Sequence, residues 1–121
     1  MKGSPRQRPL SIAGLTRFST SKESTAMAYA YVVGQITIKD ETKWARYRDQ
    51  VPATIAPWDA EIVFRGKQAA VLAGANPHPD IVVIRFPSMR AADEWHASSQ
   101  YQALIPLRQE AADVVLTAYE A

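Results

Sequence analysis

The chain has 121 residues, enough to bury one core and form one domain. Its 47% hydrophobic and 21% charged content is that of an ordinary globular protein. There is no cysteine, which excludes disulfides, thiol nucleophiles and cysteine-based zinc or iron–sulfur sites, and no apolar run reaches the roughly 18 residues of a membrane span.

The basic balance does not belong to the part that folds. Residues 1–26 carry Lys2, Arg6, Arg8, Arg17 and Lys22 against Glu23 alone, a net of +4, while the whole chain is +2. Residues 27–121 are therefore at −2, so the folded part repels a phosphate backbone and nucleic acid is not an expected partner. Residues 1–26 are rich in Ser, Thr, Arg, Pro and Gly, with one short apolar patch from Leu10 to Leu15, and are expected to be disordered or loosely packed. They read as an upstream extension ahead of a natural start at Met27, or as an organellar transit-like leader. A secretory signal would need a longer apolar centre and a small-residue cleavage site. With no cysteine, this fits a cytoplasmic location.

The folded unit is expected over residues 27–121. Tyr29 to Ile38 is β-rich and apolar on both alternating faces, as in a strand covered on both sides. Asp40 offers an N-cap, and Trp44, Tyr47, Val51, Ile55 and Trp58 follow at helical spacing. Pro52 is expected to kink or divide this helix. Ala60 to Arg65 and Ala69 to Ala73 read as two short strands around a Gly66-Lys67 turn, followed by a proline-rich loop, Ala75 to Asp80. Ile81 to Phe86 reads as a central strand. Ser88 caps a second helix, Ser99 and Gln102 form a capping box for a further helical segment to about Ala111, and Val114 to Tyr119 closes the chain as a strand.

The order β-α-β-β-α-β gives an α+β fold of ferredoxin-like type, a four-stranded antiparallel sheet with helices on one face. Helices cover only that face. Tyr31, Val33, Gln35 and Thr37 on the first strand, with Ile81, Val83 and Arg85 on the strand after the proline-rich loop, leave the other face largely apolar. A second copy packed sheet on sheet with twofold symmetry is the economical cover, so a homodimer is expected.

Strict alternation places Arg65 with Glu61 and Val63, opposite Ile62, Phe64 and Phe86, so that Arg65 and Arg85 converge near Tyr31 and Gln35 on the open face. Guanidiniums suit bidentate carboxylate recognition, which makes Arg65, Arg85, Tyr31 and Gln35 the candidate ligand-binding set for a small anion. The structural alternative is that either arginine pairs with Glu61 or bridges a dimer interface. His96, on the second helix, is the candidate general base, with a half-exposed helix position as its plainer role. His78 falls in the proline loop, and two separated histidines without cysteine make no zinc site, so no metal and no cofactor are expected. Tyr29, Tyr31, Trp44, Tyr47, Trp58 and Trp95 can wall an aromatic pocket, although core packing accounts for those on the helix stripe.

Several segments resemble the domain-of-unknown-function 1330 family of the dimeric α/β-barrel superfamily. They are Tyr31-Val-Val-Gly34, Trp44-Ala-Arg-Tyr-Arg48 with Val51-Pro-Ala-Thr-Ile55, Val63-Phe-Arg-Gly66, Val82-Val-Ile-Arg-Phe-Pro-Ser88, and Ser99-Gln-Tyr-Gln-Ala-Leu104 followed by Arg108. The blocks occur in family order over residues 28–120. The resemblance implies a homodimer whose sheets form a barrel-like core, with a pocket between sheet and helices in each subunit, and no established reaction. Three segments depart from the family pattern: Trp58-Asp-Ala-Glu61 replaces paired glycines, a second Gly-Gly appears as Gly66-Lys67, and the loop that typically carries an acidic residue, a Trp and an Arg reads Ala73-Gly-Ala-Asn-Pro-His-Pro-Asp80. The expected function is binding of a small anionic or aromatic molecule by a homodimer, with cofactor-independent proton transfer, isomerisation or oxygenation as its catalytic form. The alternative is a non-catalytic dimeric structural or interaction module.

Overall fold

The computed structural model describes residues 28–121, so the extension at 1–26 lies outside the described residues. Strand β1 (Ala30–Ile38) leads into helix α1 (Glu41–Ile55) and one 3₁₀ turn (Ala56–Trp58). Strands β2 (Glu61–Lys67) and β3 (Asp80–Phe86) follow. Helices α2 (Met89–Ala97), α3 (Ser99–Gln102) and α4 (Ile105–Ala111) then precede β4 (Ala112–Glu120). The strands form one antiparallel sheet in the order β2-β3-β1-β4, with the helices on one face. This is the ferredoxin-like arrangement. No helix among the described residues is long and apolar enough to cross a membrane.

Alternation along β1 builds the core. Ala30, Val32 and Ile36 face the helices, and their partners Phe86 and Ile84 on β3 share that side. Trp44, Tyr47, Val51 and Ile55 of α1 pack against them, with Trp95 and Tyr101 from the second helical region. Trp95, Tyr101 and Phe86 are at most 2% exposed, each contributing about 1.5–3 kcal/mol by burial. The caps are local. Asp40 accepts from the Lys43 N–H at 3.0 Å, and Ser88 accepts from the Ala91 N–H at 3.0 Å. Ser98, not Ser99, caps α3: its hydroxyl accepts from the Tyr101 N–H and donates to the Trp95 carbonyl, joining α2 to α3 in one residue.

Other local expectations are corrected. Pro52 sits inside a continuous α1, and the change to 3₁₀ geometry falls after Ile55. Gly66 and Lys67 do not turn the chain. They continue β2, where Gly66 stands opposite Ile81 and Lys67 opposite Asp80. Ala69 to Ala73 forms no strand, since three of its five residues are alanines of weak β-propensity and no strand pairs with them. Residues 68–79 instead make one long connection, closed at its base by the Gln68 N–H donating to the Pro79 carbonyl at 2.6 Å. Thr37 holds this connection through His78 Nδ1 at 2.9 Å, and Asn76 donates to the Gln35 side chain at 2.8 Å.

The decisive irregularity is a bulge in β2. Glu61 stands opposite Arg85 and Ile62 opposite Ile84, but the next pairs are Phe64 with Val83 and Arg65 with Val82. Val63 is the extra residue. Beyond it the alternation has shifted by one position, so Phe64 faces the open side of the sheet and Arg65 the helix side.

Candidate functional site

The bulge brings Arg65 under α1. Glu41, Trp44 and Arg48 lie at i, i+3 and i+7 on that helix, one face of it, and line a cleft whose opposite wall is Arg65 and Lys67 of β2 with Asp80 and Val82 of β3. The cleft measures about 340 Å³, at the small end of the range for ligand sites. It narrows inward to an apolar neck lined by Tyr47, Val51, Ile84 and Leu116, where the remaining void of about 30 Å³ has room for one water. Gly34 floors this neck. A Cβ there would stand 3.0 Å from Val82 Cγ1 and 3.3 Å from Leu116 Cδ2, so the glycine permits a close approach of β3 and β4 side chains over β1.

The charges are distributed unevenly. Among the described residues no carboxylate lies within 4.0 Å of the Arg65 guanidinium, and Arg48 has only its sequence neighbour Asp49, at 3.7 Å. Loss of solvent pulls the Arg65 pKa below the usual guanidinium value, and the charge of Arg48 adds to the fall, with Tyr47 and Asp49 opposing. At the other end Lys67 donates to Asp80 at 2.7 Å, and its pKa is raised by that hydrogen bond, by the Asp80 charge and, more weakly, by Glu41.

Arg85 does not join Arg65. It is on the open face, ion-paired with Glu61, with its guanidinium 4.9 Å from the centre of the Tyr29 ring. Tyr31 is its cross-strand neighbour on that face, and Gln35 lies further along the same strand, where its side-chain oxygen accepts from Asn76. The four residues expected to converge are therefore split by the sheet, three on one side and Arg65 on the other. The physical reason is the one-residue phase shift at Val63.

His96 does not line the cleft or its neck. Its ring is exposed, 5.6 Å from that of Tyr101, and with Met89, Asp93 and Thr117 it borders a separate depression of about 220 Å³. Among the described residues no group of three or more His, Asp or Glu side chains is placed to hold a metal. Arg48 and Glu41 were not singled out from the sequence as site residues, yet their i, i+3, i+7 spacing about Trp44 is readable there. The altered segment 73–80 contributes only Asp80 to the cleft, because Asn76 and His78 bind back to β1 on the open face.

The family model for a domain of unknown function, DUF1330, matches residues 29–121. The chain belongs to this family. No curated protein matches the sequence. A DUF1330 fold of this form is shared with a protein of unknown function from Rhodopseudomonas palustris, at TM-score 0.68 and 13% identity over 87% of this chain and 95% of that one. The hydroxynitrile lyase of Passiflora edulis superposes at TM-score 0.60 and 12% identity over 79% and 94% of the two chains. SnoaB, a cofactor-independent oxygenase from Streptomyces nogalater, gives TM-score 0.56 and 9% identity over 79% and 94%. At these identities the likeness is one of fold.

Proposed function

We propose that this DUF1330 chain is one subunit of a homodimer that binds a small organic anion in the cleft between α1 and the β2–β3 edge. The observation that carries the reading is the juxtaposition of Arg48 and Arg65. Two guanidiniums face one aromatic-walled cleft, and among the described residues no carboxylate reaches Arg65. Adjacent like charges are unfavourable unless an anion joins them, and a carboxylate accepts bidentate hydrogen bonds from either. The apolar wall of the outer cleft, Trp44 with Ile36 and Val82, suits a planar or aliphatic body.

The homodimer rests on the open face. The large apolar residues left exposed, including Phe64, Val115 and Tyr119, lie on that face, at its bulged edge or on the connection that curls over its end. Tyr29, Phe64 and Tyr119 are each about half exposed, so each has roughly half of an aromatic side chain's 150–250 Å² still to bury, and together they supply about a third of one side of a standard interface.

Turnover without a cofactor is the catalytic form of this reading, and a fold shared with an oxygenase described as cofactor-independent is compatible with it. A second reading, a dimeric module without catalysis, draws on the absence of His96 from the residues that line the cleft. Isothermal titration with benzoate, 4-methylbenzoate and benzamide tests the site. The carboxylates are expected to bind and benzamide is not, with loss of binding in Arg65→Ala and retention in Arg85→Ala. Carboxylate binding that survives both Arg48→Ala and Arg65→Ala would overturn the site, and a monomeric mass at micromolar concentration would overturn the dimer.

A further inference from the structure

The cleft has two ends of opposite character. Glu41 and Arg48 are seven residues apart on α1, about 10 Å along the axis, with Trp44 between them on the same face. The Arg48 end also holds Arg65, and no carboxylate other than Asp49 approaches either guanidinium among the described residues. At the Glu41 end, Lys67 and Asp80 neutralise one another through their 2.7 Å ion pair. Glu41 itself forms no ion pair among the described residues, so that end keeps one uncompensated negative charge. The Arg48 charge adds to the fall in the Arg65 pKa, and the Glu41 charge adds weakly to the rise in that of Lys67, in keeping with the two pairings the cleft lining gives.

We propose that the cleft is built for a bipolar ligand: a carboxylate held by Arg48 and Arg65, a flat apolar body along Trp44, and a cationic or strongly hydrogen-bond-donating group directed to Glu41. This deepens the anion-binding reading of the same cleft and rests on it. A ligand with only a carboxylate satisfies one end and leaves the exposed Glu41 to solvent. A para-substituted aromatic amino acid places its two charges at opposite ends of a rigid body, which fixes both orientation and register in the cleft. The dipolar arrangement also rejects dicarboxylates, since a second anionic group would be carried to Glu41.

The test is a titration series with 4-(aminomethyl)benzoate, 4-methylbenzoate and terephthalate on the wild type, Glu41→Gln and Arg65→Ala. Wild type is expected to favour 4-(aminomethyl)benzoate over 4-methylbenzoate by about tenfold and to bind terephthalate most weakly. Glu41→Gln should erase most of that preference, read as the ratio of the two affinities within the variant, and Arg65→Ala should weaken both. Glu41 is exposed in the first turn of α1, so the variant retains the fold, and circular dichroism verifies it. If 4-methylbenzoate binds in an Arg65-dependent way but the ammonium brings no advantage, or brings one that survives Glu41→Gln, the bipolar proposal is overturned while the anion site stands. If none of the carboxylates binds, both are overturned.

Discussion

The phenolic oxygens of Tyr47 on α1 and Tyr101 on α3 lie 2.8 Å apart in the core, and the Arg108 guanidinium donates to the Tyr101 oxygen, also at 2.8 Å. The three side chains tie the helix that walls the cleft to the helical region behind it. Tyr101 is the hinge of the network, since it holds the partner of each of the others. Tyr101→Phe is expected to cost about 1–3 kcal/mol, because it leaves a buried hydroxyl on Tyr47 without a partner. Tyr47→Phe should cost only about 1 kcal/mol, because Tyr101 keeps Arg108. Urea unfolding of the two variants checks the order, and equal losses would contradict it.

The same network gives a pH dependence. Burial first, then the charge of and hydrogen bond to Tyr101, push the Tyr47 pKa well above the usual phenol value. The folded state therefore holds this proton in conditions where the unfolded chain has released it. Above about pH 10 the unfolded state binds fewer protons, so stability is retained below that pH and falls as pH rises beyond it. A tyrosinate absorbance titration should show Tyr47 ionising only with unfolding, and Tyr47→Phe should flatten the alkaline fall in stability.

Thr54 carries a second buried polar link. Its hydroxyl donates to the Val51 carbonyl at 2.7 Å and accepts from Trp95 Nε1 at 3.0 Å. Thr54→Val keeps the shape but strands a buried indole N–H, at an expected cost of about 1–3 kcal/mol. Thr54→Ser keeps the acceptor and should lose less. Thermal unfolding of the pair separates the hydrogen bond from the lost methyl.

Gly34→Ala would put a methyl 3.0 Å from Val82 Cγ1 at the floor of the neck. An overpacking cost of about 1–3 kcal/mol is expected, together with weaker binding of any ligand whose body enters the neck. Calorimetry on the folded variant reads the second effect, and unchanged affinity would place the ligand wholly in the outer cleft.

Phe64→Glu and Val115→Glu place charges on the open face, far from α1. Each is expected to shift the protein toward monomer in sedimentation or light scattering without unfolding it, because both side chains are about half exposed in the subunit.

Where periodicity was unbroken, the fold was legible in the sequence. The alternation of β1, the stripe from Trp44 to Ile55 and the caps at Asp40 and Ser88 all depend on neighbours within a few residues, and local chemistry decides them. Ser98 was missed because Ser99 also satisfies a capping pattern, and only the position of Trp95 chooses between them. The strand expected at 69–73 failed because an apolar run needs a pairing partner, which is a tertiary fact. The proposed cleft was half legible. Arg65 was singled out by its residue type and its place in a strand, but expected on the opposite face. Nothing local to Val63 announces a bulge, since Val favours regular strands, and the two half-strands around it each alternate normally.

The bulge at Val63 also bears on how this chain is compared with its relatives. In an ungapped alignment with a relative whose second strand is regular, the positions on one side of Val63 fall out of step. An outward residue would then be equated with Arg65, and a cleft residue with Phe64. A relative that keeps an arginine one place earlier would look as though it had lost the site while carrying it in the same position in space. Deletion of Val63 would close the gap without turning Arg65 over, because the residues before and after the bulge already face the sides that a regular strand would give them.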